Sequence, residues 1–286
     1  MTDWIASSET TLRVAAFLGA LGVFCALEAL FPRRKRRQER MRRWSTNIAI
    51  VVTANLVLRA LAIAAPVIAG VAAAAWAAHS GFGLLNGVDL PVGLEVALAL
   101  IALDFAIWLQ HVISHRVPVF WRIHAMHHAD RDIDATTALR FHPVEIAASS
   151  LYKAVWILAL GPAVAAVILF EILLNACALF NHANLALPKW LDRALRLAIV
   201  TPDMHRVHHS DRPNEHHRNF GFCLSIWDRV FGTYTAQPAL GHRAMEIGLG
   251  KIGPAHPERL GESLMFPITW TRKSAEAQAP DEARES

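Results

Sequence analysis

The 286-residue sequence is 54% hydrophobic and only 18% charged, and its mean hydropathy is +0.30. A soluble domain of this length is usually more polar, and the apolar residues are grouped in long runs, so the composition argues against a soluble protein. The formal net charge of +4 comes largely from one short basic loop between two apolar runs. Because no nucleic-acid-binding module accompanies that loop, the charge does not indicate a nucleic-acid partner.

Five apolar runs are candidates to form membrane helices. The second run carries Arg59, which is costly in hydrocarbon, so we expect residues 48–60 to lie at the interface and the span to begin after them. The last two runs flank Gly161 and Pro162, which predicts a helical hairpin whose first arm is short. We therefore predict an all-α integral membrane protein with four to five transmembrane or re-entrant helices. The predicted spans are 14–31, 61–78, 92–109, 146–160 and 163–180.

The stretch RRKRRQERMRR, residues 33–43, contains eight Lys or Arg and one Glu. By the positive-inside rule this loop is cytoplasmic, and its expected role is to set the topology. With the loop fixed there, the predicted spans bring the histidine clusters of the chain to cytoplasmic helix ends, while His79 falls on the far side. The charge pattern and the histidine positions are independent signals, and together they predict one histidine-rich helical cap on the cytoplasmic face.

Three short histidine boxes follow in order: HVISH, HAMHH and HRVHH. Spacings of three and four residues place the imidazoles of each box on one side of a helical turn. Imidazole is a good ligand for iron, zinc, copper and nickel, and eight histidines exceed the needs of a single ion, so we expect two metals in a shared pocket. The box histidines are His111, His115, His124, His127, His128, His205, His208 and His209.

These boxes and their flanks resemble the fatty acid hydroxylase and sterol desaturase superfamily of integral-membrane di-iron enzymes, and specifically a bacterial-type member. The similar stretches are HRVPVFWRIHAMHH, RFHPVE at residues 140–145 and NFGFCLSIWDRVFGTY at residues 219–234. The resemblance covers roughly residues 95–236. It implies that the eight box histidines bind two iron ions, with O₂ as co-substrate, and that the enzyme hydroxylates or desaturates a lipid such as a sterol or a fatty acyl chain.

Two further histidines enter the predicted metal site through the resemblance. His182, in FNHANL, is similar to a histidine found at a helix end in the family. The fatty acid 2-hydroxylase branch has a second histidine four residues earlier, where this chain has Ala178, so the sequence departs from that branch. His142, in FHPVE, is similar to a position in the sterol-modifying branches, and it is either a metal ligand or a neighbour of the ligands.

Three polar residues within predicted spans are candidates to support the site. Glu171 and Asn175 lie on one helical stripe with His182, and they form either a channel wall beside the ligands or hydrogen bonds between helices. Asp104 lies seven residues before His111, and it either accepts a proton from a ligand histidine or pairs with Arg59.

Two more histidines, His216 and His217, follow the turn-rich stretch SDRPNE. In the family this stretch is variable. We therefore expect both side chains to be exposed to solvent and to stand outside the metal site.

The sequence contains no dinucleotide fingerprint, and we find no flavin or cytochrome module. A separate electron donor is therefore expected, of the ferredoxin or cytochrome b5 type with a reductase. The lipid substrate enters from the bilayer, and the bacterial inner membrane is the expected location. Two alternatives remain open: a zinc-loaded hydrolytic enzyme on the same scaffold, and a membrane metal transporter.

The expected organisation has three parts. Residues 1–91 form N-terminal membrane helices with the basic loop, and residues 92–236 form the di-metal catalytic domain. Residues 237–286 form a C-terminal extension whose last fifteen or so residues, from Arg272, are polar, charged and expected to be disordered.

Overall fold

A computed structural model describes residues 8–270, and within that range the protein contains thirteen α-helices, four short 3₁₀ turns and no β-strand. The all-helical class expected from the sequence is confirmed. The residues from Arg272 onwards, for which disorder is expected, lie outside the described range. The helices are α1 Glu9–Leu30, α2 Arg40–Ala64, α3 Gly70–Ser80, α4 Val92–Arg116, α5 Pro118–His128, α6 Pro143–Leu160, α7 Val164–His182, α8 Lys189–Leu195, α9 Pro202–His208, α10 Pro213–His216, α11 Ile226–Val230, α12 Gly241–Ala244 and α13 Leu260–Thr269.

Five of the helices, α1, α2, α4, α6 and α7, are long and apolar enough to cross a bilayer. They have 18 to 25 residues, which corresponds to roughly 27–38 Å at the usual helical rise and matches the hydrocarbon thickness of a membrane. This confirms an integral membrane protein, and the five candidate spans match the higher of the two numbers, four or five, that the sequence predicts. The remaining helices are shorter, with 4 to 11 residues each.

The second predicted span, residues 61–78, is wrong. Helix α2 runs without interruption from Arg40 through Arg59 to Ala64, and Pro66 then begins a 3₁₀ turn. A proline cannot donate the hydrogen bond that would continue the helix, so the apolar run is divided. Its second part, α3, has only 11 residues and is too short to cross. Arg59 is accommodated because it lies five residues before the end of α2 and its side chain is exposed.

The predicted hairpin of α6 and α7 turns at Gly161, which has a φ of 64° and caps α6 in the left-handed region. The loop after α3 packs directly on this turn. A Cβ added to Gly83, which also has a positive φ, would lie 2.5 Å from the Gly161 Cα atom. The close backbone approach therefore requires glycine on both sides, and it fixes the end of the hairpin that lies away from the histidine boxes.

The basic loop contacts the rest of the protein in a way that the positive-inside rule does not predict. Arg33 pairs with Asp203 at 2.9 Å, and Arg34 donates to the carbonyl oxygens of His242 and Met245 at 2.6 and 2.7 Å. Arg43 is fully buried and pairs with Asp130 and Asp134 at 2.8 and 2.7 Å. The loop therefore has a structural role in addition to the topological one expected from its charge. Which side of the membrane it occupies stays a prediction.

Buried polar contacts join the helix ends around the histidine boxes. The Glu28 carboxylate, at the end of α1, accepts from the backbone N–H groups of Ala135 and Asn184 at 2.7 and 2.9 Å. The Arg140 guanidinium donates to the Met126 carbonyl, to Asn47 and to Ser263 at 3.0, 3.2 and 2.6 Å. Buried groups of this kind are costly unless paired, so these contacts hold α1, α2, α5 and α13 in one arrangement.

Candidate metal centre

The first two boxes face each other because the chain folds back between α4 and α5. Val117 is extended, with φ and ψ of −96° and 116°, and Pro118 begins α5 with a ring that suits the first helical position. The fold brings the ring of His115 to 4.9 Å from His124 and 4.8 Å from His128, measured between centroids. The two boxes therefore form one surface although they lie on separate helices.

The third box lies on the short helix α9, which Thr201 caps by accepting a hydrogen bond from the Met204 N–H at 3.4 Å. This helix packs against the end of α7, where His182 is the last helical residue. The ring centroids of His182 and His205 are 4.3 Å apart. The third box thus meets both the α4–α5 surface and the end of α7.

Nine buried histidines gather into two groups, and within each group one nitrogen from every ring lies within 4.8 Å of the others. The first group takes residues from all three boxes, and the second group takes residues from two boxes and from α7. Eight box histidines and His182 are therefore brought together. The first group is His111, His115, His124, His128 and His208, and the second group is His127, His182, His205 and His209.

The second and third boxes divide in opposite ways. In HAMHH the outer residues, His124 and His128, belong to the first group, while His127 belongs to the second. In HRVHH the outer pair, His205 and His209, belongs to the second group and His208 to the first. The first and last histidines of each box are four residues apart and project to nearly the same side of the helix. The middle histidine, three residues after the first, projects in a direction rotated from theirs. Each HxxHH box consequently contributes to both groups.

The first group has the nitrogen pattern that metal binding requires. His111, His124 and His208 each contact protein through Nδ1: the Phe220 carbonyl at 2.7 Å, the Glu145 carboxylate at 2.6 Å and the Arg218 carbonyl at 2.7 Å. Their Nε2 atoms are buried and have no hydrogen-bond partner among residues 8–270. Histidine ligands of metals usually have one ring nitrogen hydrogen-bonded to protein and the other directed at the metal. These three residues have that arrangement and therefore fit a metal ion.

The second group is equally well suited. His182 Nδ1 contacts the Ala178 carbonyl at 2.7 Å, which leaves Nε2 as the lone-pair nitrogen. That Nε2 lies 3.1 Å from Nε2 of His127 and 3.1 Å from Nε2 of His205. Ligand nitrogens that share a metal at about 2.1 Å lie roughly 3.0–3.4 Å apart, so the three rings already have the spacing of a common ion.

Burial keeps these rings in the form that binds metal. For the box histidines outside the membrane helices, removal from water lowers the pKa well below the usual range, and neighbouring imidazoles lower it further. A neutral imidazole has a free lone pair, which is the form required of a ligand. The residues concerned are His127, His128, His205, His208 and His209.

His142 is not brought to either group. It lies at the N-cap of α6, where Nδ1 accepts from the Val144 N–H at 3.2 Å, and its Nε2 lies 3.2 Å from the Leu264 carbonyl oxygen. Pro143 begins the helix directly after it, which turns the side chain back onto the first helical turn. Both ring nitrogens therefore contact protein.

The expectations for Asp104 are both wrong. Its carboxylate accepts from the Trp227 indole N–H at 2.8 Å and from the backbone N–H groups of Leu224 and Cys223 at 3.2 and 3.3 Å. It contacts neither a ligand histidine nor Arg59. Asp104 instead joins residues 223–227, which follow the third box, to α4, because the two oxygens of a carboxylate can accept all three hydrogen bonds.

Glu171 and Asn175 both line a cavity between the membrane helices, and Glu171 also makes the interhelix contacts of the alternative interpretation. The Glu171 carboxylate pairs with Lys153 on α6 and with Arg13 on α1, the latter at 2.8 Å. The Asn175 side chain donates to the Glu171 carbonyl at 2.8 Å. The Asn175 contact lies within α7, so only Glu171 joins neighbouring helices, while both side chains line the channel wall.

His216 and His217 are buried, so the expectation that they are exposed is wrong. Pro213 begins the short helix α10 and turns both rings inwards. The His216 ring stacks on Trp121 at a centroid distance of 5.4 Å, and His217 Nδ1 lies 3.3 Å from His115 Nδ1. Neither belongs to a histidine group, but His217 contacts His115 of the first group, and His216 stacks on Trp121, which itself packs against His115.

Glu145 is a site residue that the sequence did not single out. It lies in the first turn of α6, contacts His124 Nδ1 through one oxygen, and buries its second oxygen without a hydrogen-bond partner among residues 8–270. It also lines the cavity described below. The only signal for it was its place in RFHPVE, because a contact between residues 21 positions apart on two helices has no spacing signature.

We predict that Glu145→Ala weakens metal binding in the first group by about 10–100-fold, because it releases the His124 ring that the carboxylate orients. Glu145→Gln keeps an acceptor for that ring and is expected to lose less than about tenfold. Competition with a chelator of known affinity measures both. Equal affinity in Glu145→Ala and the unaltered protein would contradict the role of Glu145.

Asp228 holds the backbone that orients two other histidines. Its carboxylate accepts from the N–H groups of Phe220 and Gly221, both at 2.8 Å, from the Thr233 hydroxyl at 2.7 Å and from the Trp108 indole at 3.1 Å. The loop fixed in this way carries the carbonyls of Arg218 and Phe220, which contact His208 and His111. The stretch NFGFCLSIWDRVFGTY therefore serves as the support of the first group.

A cavity of about 710 Å³ extends from the first histidine group into the region between α1, α2, α6 and α7. His111, His124 and Glu145 line one end of it, and Phe17, Leu58 and Leu174 are among the apolar residues of its wall. An apolar space that opens beside buried ligands is suited to an alkyl chain. The fold and the site together define an integral-membrane helical protein with a two-part histidine metal centre facing a lipid-sized cavity.

Comparisons with known proteins agree with this class. The fatty acid hydroxylase family matches residues 96–233. The chain is 27% identical to ornithine lipid hydroxylase OlsE of Rhizobium tropici over 86% of its own length and 73% of that protein. It is 32% identical to alkylglycerol monooxygenase of Homo sapiens and 32% identical to that of Danio rerio, over 30% and 37% of their lengths. No solved structure matches the chain significantly.

The histidine-bearing part of the chain, residues 96–233, matches the fatty acid hydroxylase family, and the resemblance stated from the sequence is confirmed. The chain spans about a third of the length of the alkylglycerol monooxygenases that it matches. All three histidine boxes, His182, Glu145 and Asp228 lie within the matched residues.

Proposed function

We propose that this protein is a membrane-bound di-iron oxygenase that hydroxylates or desaturates a lipid. The observation that carries the proposal is the pairing of two buried histidine groups with a cavity between membrane helices. The names of its relatives, a lipid hydroxylase and several monooxygenases, support the same chemistry. Iron is proposed because imidazole ligands and an O₂-dependent reaction suit it, while the histidines by themselves suit zinc as well.

In the proposed reaction, hydroxylation consumes one O₂, two electrons and two protons, and it forms one alcohol and one water. Two bound iron ions would supply the O₂ activation. The residues of the chain would bind the ions, hold the alkyl chain beside the first group and keep bulk water out. The two electrons would come from a separate donor of the ferredoxin or cytochrome b5 type.

We propose that the histidine groups lie on the cytoplasmic side of the bacterial inner membrane. The basic loop of residues 33–43 supports this orientation through the positive-inside rule. The loop lies beside the third box, because Arg33 pairs with Asp203 on α9. A cytoplasmic centre would be accessible to a soluble electron donor. We also propose that residues 92–236 form the catalytic domain, which agrees with the extent of the family match.

Iron content and lipid turnover test the proposal together. Protein purified without air is expected to contain about two iron ions per chain, and cells with the gene are expected to contain a lipid with one added oxygen or with two fewer hydrogens. Stoichiometric zinc with O₂-independent lipid turnover would favour the hydrolytic alternative. Metal transport across vesicles without lipid turnover would favour the transporter.

A further inference from the structure

The wall of the cavity carries more charge than an alkyl chain requires. Besides apolar side chains it includes three cations, Arg13, Arg59 and Lys153, and the carboxylates of Glu9 and Glu171. The carboxylate of Glu145 lies at the histidine end. Charged groups within the membrane are costly and are usually retained for binding or transport. The far end of the cavity therefore has the composition of a polar binding site.

Arg59 differs from the other charges of the wall. Arg13 pairs with Glu171 at 2.8 Å and with Glu9 at 3.3 Å, and Lys153 pairs with Glu171. Arg59 makes no ion pair and no hydrogen bond with any residue of the range 8–270, and its side chain is exposed. Within residues 8–270 the cavity therefore offers one unpaired guanidinium, that of Arg59, beside two paired cations, and this arrangement suits an anionic oxygen group.

The two arginines lie far from the histidines, and Lys153 is nearer, at eight residues or about 12 Å along α6 from Glu145. Arg59 follows Asn47 by 12 residues on α2, or about 18 Å, and Asn47 is joined through Arg140 to the Met126 carbonyl on α5. On α1, Arg13 precedes Glu28 by 15 residues, or about 22 Å, and Glu28 holds the backbone just after His182. The separation is roughly two thirds of the hydrocarbon thickness of a bilayer.

We propose that Arg59, with Arg13 and Lys153, binds the anionic headgroup of the lipid substrate, a carboxylate or a phosphate. The headgroup then lies about 20 Å from the metal centre, and the acyl chain runs through the cavity to His111 and His124. This inference rests on the proposed function. It has a consequence for the product: oxidation falls on the acyl chain well away from the headgroup, and not on the headgroup itself.

Equilibrium binding tests the headgroup site without turnover. Binding to the purified protein is measured for phosphatidylglycerol, an N-acyl amino acid and diacylglycerol of matched chain length. We expect tighter binding of at least one anionic lipid than of diacylglycerol by about tenfold, and loss of that preference in Arg59→Gln. Because Arg59 has no carboxylate partner in the described residues, this change leaves no buried carboxylate without its ion-pair partner. The matched control is Arg243→Gln, at an exposed arginine of α12 outside the cavity, which is expected to keep the preference.

Two binding results would overturn the inference. One is equal affinity for the anionic lipids and diacylglycerol, and the other is a preference that survives Arg59→Gln. The two anionic lipids distinguish a phosphate from a carboxylate as the preferred group. Inorganic phosphate alone is expected not to displace the lipid at equal concentration, and displacement would identify the site as one for free phosphate.

The position of oxidation provides an independent test. Tandem mass spectrometry of the product is expected to place the new oxygen or double bond in the acyl chain, and Arg59→Gln is expected to raise KM by about tenfold with kcat and iron content unchanged. Oxidation of the headgroup would overturn the inference and leave the proposed function intact. Absence of oxidation of any lipid by the iron-loaded protein would contradict the proposed function, while the binding experiment would still decide the headgroup site.

Discussion

Removing two histidines of the same group is expected to have a different effect from removing one histidine of each group, even within a single box. His205→Ala with His209→Ala takes two of four ligands from the second group and is expected to leave about one tightly bound ion per chain. His205→Ala with His208→Ala leaves both groups one ligand short and is expected to weaken both ions. Both double variants are expected to lose more than about 100-fold in lipid oxidation. Metal analysis after dialysis against a chelator separates them.

The control for this experiment is His142→Asn. Asparagine can cap α6 in place of histidine, so this variant is expected to keep its metal content and its fold. Equal metal loss in the two double variants would contradict the division into two groups. Metal loss in His142→Asn would contradict the position of His142 outside them.

Replacing Arg43 with methionine is expected to lower the free energy of unfolding by about 3–5 kcal/mol, the usual cost of removing one partner of a buried ion pair. The guanidinium is buried and contacts both Asp130 oxygens at 2.8 Å, an Asp134 oxygen at 2.7 Å and the Asp132 carbonyl at 2.8 Å. Without it, two buried carboxylates lie together directly after the second box. Chemical denaturation in detergent measures the change.

The neighbouring Arg42 provides the matched control. It is exposed and pairs only with Glu39 within the described residues, so Arg42→Met is expected to change stability by less than about 1 kcal/mol. Similar losses in the two variants would show that the effect comes from the charge of the loop and not from the buried contacts of Arg43.

The sequence predicted the box histidines because their chemistry has a local signature. Three and four residues are the spacings at which side chains meet on a helix, so each box was visible without any knowledge of the fold. The division of the boxes between two groups was not visible. It depends on how α4, α5, α7 and α9 are rotated about their axes, which long-range packing decides.

His142 and His182 illustrate why the other histidines were harder to place. Both lie at helix ends, but His182 ends α7 and continues its inward face, while His142 precedes Pro143 and caps α6. His216 and His217 follow a polar, proline-containing stretch that usually indicates exposure. The short helix that Pro213 begins buries them against Trp121 and His115. In each case the outcome depends on a tertiary contact that composition does not reveal.

The errors in the membrane region have a similar origin. The cost of Arg59 in hydrocarbon predicts a second span at residues 61–78, whereas the helix continues through Arg59 and ends at Ala64, just before Pro66. The positive-inside rule predicts only a topological role for the basic loop, because it counts charges. It contains no information on the loop's ion-pair partners Asp130, Asp134 and Asp203, which lie more than 80 residues away in the sequence.

The most direct test of a lipid oxygenase with a two-part metal centre uses isotopically labelled O₂. The iron-loaded protein, a reducing system and membrane lipids are incubated under the labelled gas, and the lipids are analysed by mass spectrometry. Hydroxylation is expected to give one labelled oxygen atom per product molecule, and desaturation is expected to give labelled water with an unlabelled alkene. Lipid products that form equally well without O₂ would contradict both expectations.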